Sequence, residues 1–159
     1  MKNFLLAGIL GSALMVSCST AKTAQSNRAE FMKLKGEWTI TSVNYDSNYK
    51  VKPFDEGADA QCFVGSVWKL VPNNYTGSYT INGGGDCPSV TQPIKFEVGN
   101  GTEFKFKKIA EGTKAKQNIS GYSLNLIGQT DTTFSLEQNI PSNGENVRIV
   151  YNFTKTSTK

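Results

Sequence analysis

From Glu37 onward apolar and polar residues alternate, with Trp38 and Ile40 facing one way and Thr39 and Thr41 the other. A period of two is that of a strand with one buried face. Eight such runs follow one another. The first spans Glu37 to Tyr45, and the second, Cys62 to Val71, turns at Pro72, Asn73 and Asn74 into the third, Tyr75 to Asn82. A glycine cluster, Gly83 to Gly85, leads past Cys87 and Pro88 to the fourth, with Ile94, Phe96 and Val98. The turn Gly99, Asn100, Gly101 opens the fifth, which sets Phe104 and Phe106 between lysines. Tyr122, Leu124 and Leu126 mark the sixth, Phe134 and Leu136 the seventh, and Val147, Ile149, Tyr151 and Phe153 the eighth. Upstream, Asn27 with Glu30 three residues later fits a capping box for a short helix through Phe31 and Leu34, ended by Gly36.

Eight short strands joined mostly by turns predict an all-β fold, an eight-stranded up-and-down antiparallel β-barrel preceded by a short N-terminal helix. Closing the sheet removes its exposed edges, and a barrel of this size either fills its interior with side chains or holds one small ligand. An open or sandwich-like sheet is the alternative. A chain of 159 residues has room for one such domain. Two connections exceed tight turns: Asp46 to Gln61, which carries Tyr49, Val51 and Phe54 and has the length of a lid, and the lysine-rich Glu111 to Ser120.

The chain opens with Lys2 and an apolar run from Phe4 to Val16. Such a run falls short of the roughly 20 residues that a spanning helix needs and reads as a signal peptide over residues 1–17. Leu14, Met15, Val16, Ser17 and Cys18 resemble the lipobox of bacterial lipoproteins, with Met15 where that motif prefers leucine. The resemblance implies cleavage before Cys18, a diacylglycerol thioether and an amide-linked chain such as palmitate on that residue, a lipidated tether over residues 18–26, and a domain over 27–159. Two or three acyl chains hold a protein firmly to a membrane without a transmembrane helix. Ser19 resembles the residue that sends lipoproteins onward to the outer membrane, so the expected location is the cell envelope, on the periplasmic face of that membrane. An ordinary leader followed by an unmodified cysteine is the alternative.

Charge and composition narrow the function. The formal charge of +4 falls by one when Lys2 is removed, and the lysines are scattered among acids without a like-charged run, which argues against a nucleic-acid partner. The chain has no histidine, so neither a Ser-His-Asp nor a Cys-His pair can be assembled, and Gly-x-Ser-x-Gly and phosphate-loop motifs are missing. The expectation is therefore a protein that is no enzyme, takes no cofactor and no metal, and works as a monomer. Asp55, Glu56 and Asp59 read as a solvated acidic loop, without the alternating oxygens of a calcium site. Cys62 and Cys87 are an even pair in an oxidising compartment, which suggests a disulfide closing about 25 residues, worth roughly 3 kcal/mol. A thiol metal site is the weaker alternative, since neither cysteine has a Cys-x-x-Cys neighbour.

Lys35, Gly36, Glu37 and Trp38, placed after a short helix and at the start of the first strand, resemble the Gly-x-Trp signature of lipocalins. The resemblance runs from about Asn27 to Lys155. It implies that Trp38 closes the narrow end of the barrel beneath a basic residue of the last strand. Arg148 has outward parity and Lys155 inward, so Lys155 takes that role in place of the usual arginine. With Trp38 at the closed end, alternating strand directions bring Cys62 and Cys87 to one rim. They also gather the lid, the glycine cluster, Lys114, Lys116 and the Pro141 to Asn146 turn around one mouth. A mouth edged by lysines above an aromatic interior suits a small ligand with an apolar body and an anionic or polar head. Trp68, Phe96, Phe104, Phe106, Tyr122, Phe134 and Tyr151 share the inward parity and are the candidate lining. The same residues would also fill a packed barrel acting as a structural or protein-interaction lipoprotein, an inhibitor or assembly factor.

Overall fold

The computed structural model describes residues 17–46, 48–110, 112–113, 121–142 and 144–156. Residues 1–16 of the expected leader, together with Lys114 and Lys116, lie outside them. A helix, α1 (Ser17–Lys33), precedes eight strands: β1 (Gly36–Asn44), β2 (Val67–Val71), β3 (Thr76–Gly84), β4 (Cys87–Gly99), β5 (Glu103–Lys108), β6 (Tyr122–Ile127), β7 (Thr133–Ser142) and β8 (Glu145–Lys155). Each strand pairs antiparallel with the next, and β8 returns to β1, so the sheet is a closed up-and-down barrel. Among the described residues no helix is long and apolar enough to cross a membrane.

Closure is made by the register Trp38↔Lys155 through Asn44↔Val150, with one slip between Ile40 and Ser42. The slip has a sequence cause. The inward residues of β1 are Trp38, Ile40 and Val43, spaced by two and then three, and a bulge absorbs the extra residue while keeping Val43 in the core. Gly36 has φ +136, a region closed to residues with a side chain, and a Cβ there would lie 3.1 Å from Lys155 Cε. Lys155 in turn places its ammonium 5.1 Å from the centre of the Trp38 ring.

Three details depart from the sequence reading. The helix does not start at Asn27 but runs from Ser17, because Ala21, Lys22, Ala24 and Gln25 are good helix formers and nothing breaks the chain before Asn27. Asn27 caps nothing and instead lies against Gly101. Cys62 belongs to a 3₁₀ turn, Ala60–Phe63, capped by the Asp59 side chain, and β2 begins only at Val67, after Gly65 at φ +81. Finally, the glycine cluster is the turn of a hairpin rather than a linker: Gly84 pairs with Cys87, so β4 starts well before Ile94.

The two ends of the barrel are sealed differently. At the end where Trp38 sits, α1 lies beneath the turns, with Phe31 against Tyr75 and Phe96, and Leu34 fully buried. Trp38 Nε1 donates to the Leu34 carbonyl at 2.8 Å, and Gln129 Nε2 donates to that of Glu30 at 2.7 Å. At the opposite end the β1–β2 connection folds inward, anchored by the Cys62–Cys87 disulfide to the β3–β4 hairpin with a Cα separation of 5.4 Å. Replacing both cysteines by serine is expected to lower stability by about 3 kcal/mol, a loss of closure entropy in the unfolded chain. Urea midpoints of the two proteins, each measured with and without reductant, check this: reductant should move only the parent.

Candidate functional site

Inward residues of the walls meet in the lumen in three layers. In the lower half Phe134 stacks on Phe153 at 4.3 Å and touches Trp38 at 4.7 Å, while Phe96 stacks on Phe104 at 5.4 Å and reaches Phe31 of α1. Across the middle, Trp68 stacks on Tyr79 at 4.8 Å and approaches Phe106 at 5.8 Å and Phe153 at 5.5 Å, spanning from β2 to β5 and β8. Aromatic pairs at such separations contribute about 0.5–1.5 kcal/mol each beyond their burial.

The upper half is organised around a ring that no strand supplies. Phe54, from the β1–β2 connection, is 3% exposed. Its ring lies 5.1 Å from Phe106, 5.4 Å from Tyr122, 5.6 Å from Tyr151 and 5.3 Å from Phe63. β5 and β8 are three strands apart around the barrel, so this one side chain reaches across the lumen between them. Its backbone sits at φ 60, ψ 23, in the left-handed region. Such a conformation costs a residue with a Cβ about 1–2 kcal/mol, while burying a phenyl ring contributes about 1.5–3. Burial and the four ring contacts together outweigh that cost, and the strained backbone that carries the ring is held by what lies beside it.

What lies beside it is polar. Lys108, the last residue of β5, donates from Nζ to the Phe54 carbonyl at 3.0 Å and pairs with Glu56 Oε1 at 2.7 Å. The Tyr79 hydroxyl, from the middle layer, donates to the same Glu56 oxygen. The side chains of Glu56 and Lys108 are 9% and 23% exposed, so this ion pair is largely withdrawn from water. Glu56 is therefore not part of a solvated acidic loop: its carboxylate turns into the barrel, where a cation and a hydroxyl compensate its lost hydration. Asp59 is engaged as well, accepting from the Tyr45 hydroxyl at 2.7 Å and from Gln61 N at 2.9 Å. Gln61 Nε2 donates to the Val43 carbonyl at 2.9 Å, and the Tyr49 hydroxyl donates to Glu145 at the start of β8. The connection is thus tied to the rim on both sides of Phe54.

The seven candidate lining residues divide between these layers. Phe106, Tyr122 and Tyr151 surround Phe54, Trp68 forms the floor beneath, and Phe96, Phe104 and Phe134 belong to the lower half beside α1 and Trp38. Cys18 falls near the start of α1, which joins the barrel at the closed end. Sequence reasoning passed over Tyr79 and Lys108, and it read Glu56 as a solvated carboxylate. For the first two a signal existed, since Tyr79 shares the parity of Ile81, and Lys108 that of Phe104 and Phe106. Glu56 sits in an irregular segment with no periodicity to read. A concavity of about 620 Å³ opens over β4–β6, bordered by Lys95, Glu97 and Lys105 and sharing Phe96, Phe106 and Tyr122 with the candidate lining.

Burial also changes the tyrosines. Burial, then the Asp59 carboxylate, pushes the Tyr45 hydroxyl up to about 12. Burial, then Glu56, raises Tyr79, and burial followed by Tyr45 and Asp59 raises Tyr151. A group whose folded pKa exceeds its unfolded value of about 10 contributes fully below pH 10. That contribution disappears as pH rises through the folded value. Folding stability is therefore expected to fall from about pH 10 upward, with Tyr45 ionising at about pH 12 and Tyr79 and Tyr151 only as the barrel opens. An alkaline titration followed by tyrosinate absorbance and by circular dichroism checks this; the buried fraction of the absorbance change should coincide with loss of structure.

No family model matches the chain, and no curated protein matches it. Among solved structures it is similar to the bovine lipocalin allergen Bos d 2, at 14% identity and a TM-score of 0.47, over 81% of this chain and 77% of that one. It is also similar to an odorant-binding protein from bovine nasal mucosa, at 11% identity and a TM-score of 0.47, over 80% and 74%. A complex of bovine odorant-binding protein with a selenium-containing odorant matches at 11% identity and a TM-score of 0.45, over 81% and 74%. At this level the likeness concerns the barrel architecture alone.

Proposed function

We propose that this protein is a lipid-anchored binding module of the cell envelope, whose barrel takes up one small amphiphile at its open end and performs no catalysis. The observation that carries the reading is Phe54. The upper lumen is filled by a residue of a connection, with a backbone in the left-handed region, rather than by residues of the wall. Withdrawal of that ring leaves Phe106, Tyr122 and Tyr151 as an aromatic cup above Trp68, the shape and chemistry of a site for an apolar body. Lys108 and Tyr79 stand at its edge to orient a polar head. Anchoring through Cys18 brings the membrane to the closed end, since α1 enters there, and leaves the mouth turned toward the aqueous side. The protein then acts as a monomer on the periplasmic face of the outer membrane.

A second reading is favoured by the lower half, where Phe134 on Phe153 and Phe96 on Phe104 are stacked without help from the loop. If the whole barrel is packed in the same sense, the protein contacts other proteins through its loops and binds no small molecule.

Two measurements test these points. Native mass spectrometry of the chain, purified with its own leader processed by the host and incubated with an envelope lipid and metabolite extract, is expected to reveal a retained mass of a few hundred daltons. A spectrum of the protein alone, at every extract concentration, supports the packed barrel instead. Radiolabelled palmitate is expected to enter the protein in growing cells and to be lost on Cys18→Ser; label that survives the substitution contradicts anchoring at Cys18.

A further inference from the structure

Resting on the reading of the open end as a ligand site, we infer that the segment Pro53–Glu56 is a built-in stand-in for the ligand. The ligand it imitates is a small monocarboxylate bearing one flat apolar group. Phe54 supplies the flat apolar group and Glu56, two residues on, the carboxylate. Both are received by groups of the barrel wall: the ring by Phe106, Tyr122 and Tyr151, the carboxylate by Lys108 and Tyr79.

The chemistry of the receiving groups sets the class. One ammonium and one hydroxyl converge on a single carboxylate oxygen, which matches one negative charge on two oxygens. Both described partners of Lys108, the Phe54 carbonyl and Glu56, belong to this segment, so the segment's withdrawal leaves the cation half-buried and uncompensated beside an aromatic cup. An uncompensated charge there is strongly unfavourable, and an incoming carboxylate relieves it where a neutral head or a cation does not. The segment and the ligand therefore compete for the same groups. The apparent affinity equals the intrinsic affinity multiplied by the fraction of molecules in which the segment has withdrawn. Weakening the segment tightens binding, the reverse of what loss of a lining residue does.

Titration of 4-phenylbutyrate and of its primary amide, followed by tryptophan fluorescence of the full chain, tests this. Glu56→Gln keeps the shape of the segment and removes its charge from Lys108. It raises the withdrawn fraction for every ligand alike, so it is expected to tighten the acid and the amide by the same factor, at least tenfold, with the acid keeping its preference. Lys108→Met is expected to bring the acid to parity with the amide. Phe54→Leu, which shortens the plug without opening a large hole, is expected to tighten both, and near-ultraviolet circular dichroism verifies that each variant is folded. Acid affinity within twofold of the parent in Glu56→Gln, or an acid preference that survives Lys108→Met, overturns the inference. Should a neutral amphiphile from the envelope extract be retained while the acid shows no preference, the binding function stands and the carboxylate class falls. Should nothing be retained from the extract, both fall.

Discussion

Everything inside this molecule depends on the pairing of the last strand with the first. The ladder from Trp38↔Lys155 to Asn44↔Val150 turns a meander into a ring, and the bulge at Thr41 keeps Ile40 and Val43 both in the core while it does so. In an open sheet of the same strands, β5 and β8 would lie far apart on one surface. The curl that ends in closure turns Phe106 and Tyr151, three strands apart, toward each other across the lumen, at a separation that a single phenyl ring spans. The Trp38 indole, held by the Leu34 carbonyl and covered by Lys155, fixes the end from which that ring of strands is registered.

The seals at the two ends are made of different materials, and the difference has an energetic meaning. Beneath the closed end, Phe31, Leu34 and Trp38 exclude water by apolar contact, which loses a great deal if broken and gains nothing by exchange. At the open end the seal contains an ion pair. A desolvated pair adds little net stability, because attraction is spent on lost hydration, but removal of one partner is costly. Such an arrangement is poorly suited to holding a barrel together and well suited to being replaced by another carboxylate. The disulfide and the contacts of Asp59 and Gln61 tie down the C-terminal half of the connection, so exchange at Phe54 need not unfold the rim.

Strand number, order and closure were legible in the sequence because period-two alternation and turn residues act locally, and each strand announces its own buried face. The same parity placed Trp68, Phe106, Tyr122 and Tyr151 inward, and strand counting alone brought Cys62 and Cys87 to one rim, where they are bonded. What parity does not specify is height along the barrel, and so it did not separate Phe96, Phe104 and Phe134 from the upper group. The helix start was misplaced because Asn27 fits a cap while the residues before it already favour helix. The connection was opaque for a deeper reason. Phe54 and Glu56 owe their positions to tertiary partners contributed by β3, β5, β6 and β8, and no local rule turns a Pro-Phe-Asp-Glu segment inward.

The layering also bears on how large a ligand the barrel can take. Below the upper cup, Trp68 and Tyr79 form a stacked floor that reaches Phe106 and Phe153, and beneath it the pairs Phe134–Phe153 and Phe96–Phe104 are already in contact. A long acyl chain would have to part several of these pairs, each worth about 0.5–1.5 kcal/mol, and would recover only comparable dispersion in return. A ligand whose apolar body matches a single ring displaces Phe54 alone and leaves the floor intact. On the proposed binding function, size selection would come from the packed half of the barrel and head-group selection from Lys108 and Tyr79. The aromatic filling that argues for a solid core in the lower half would then confine a ligand to the upper one.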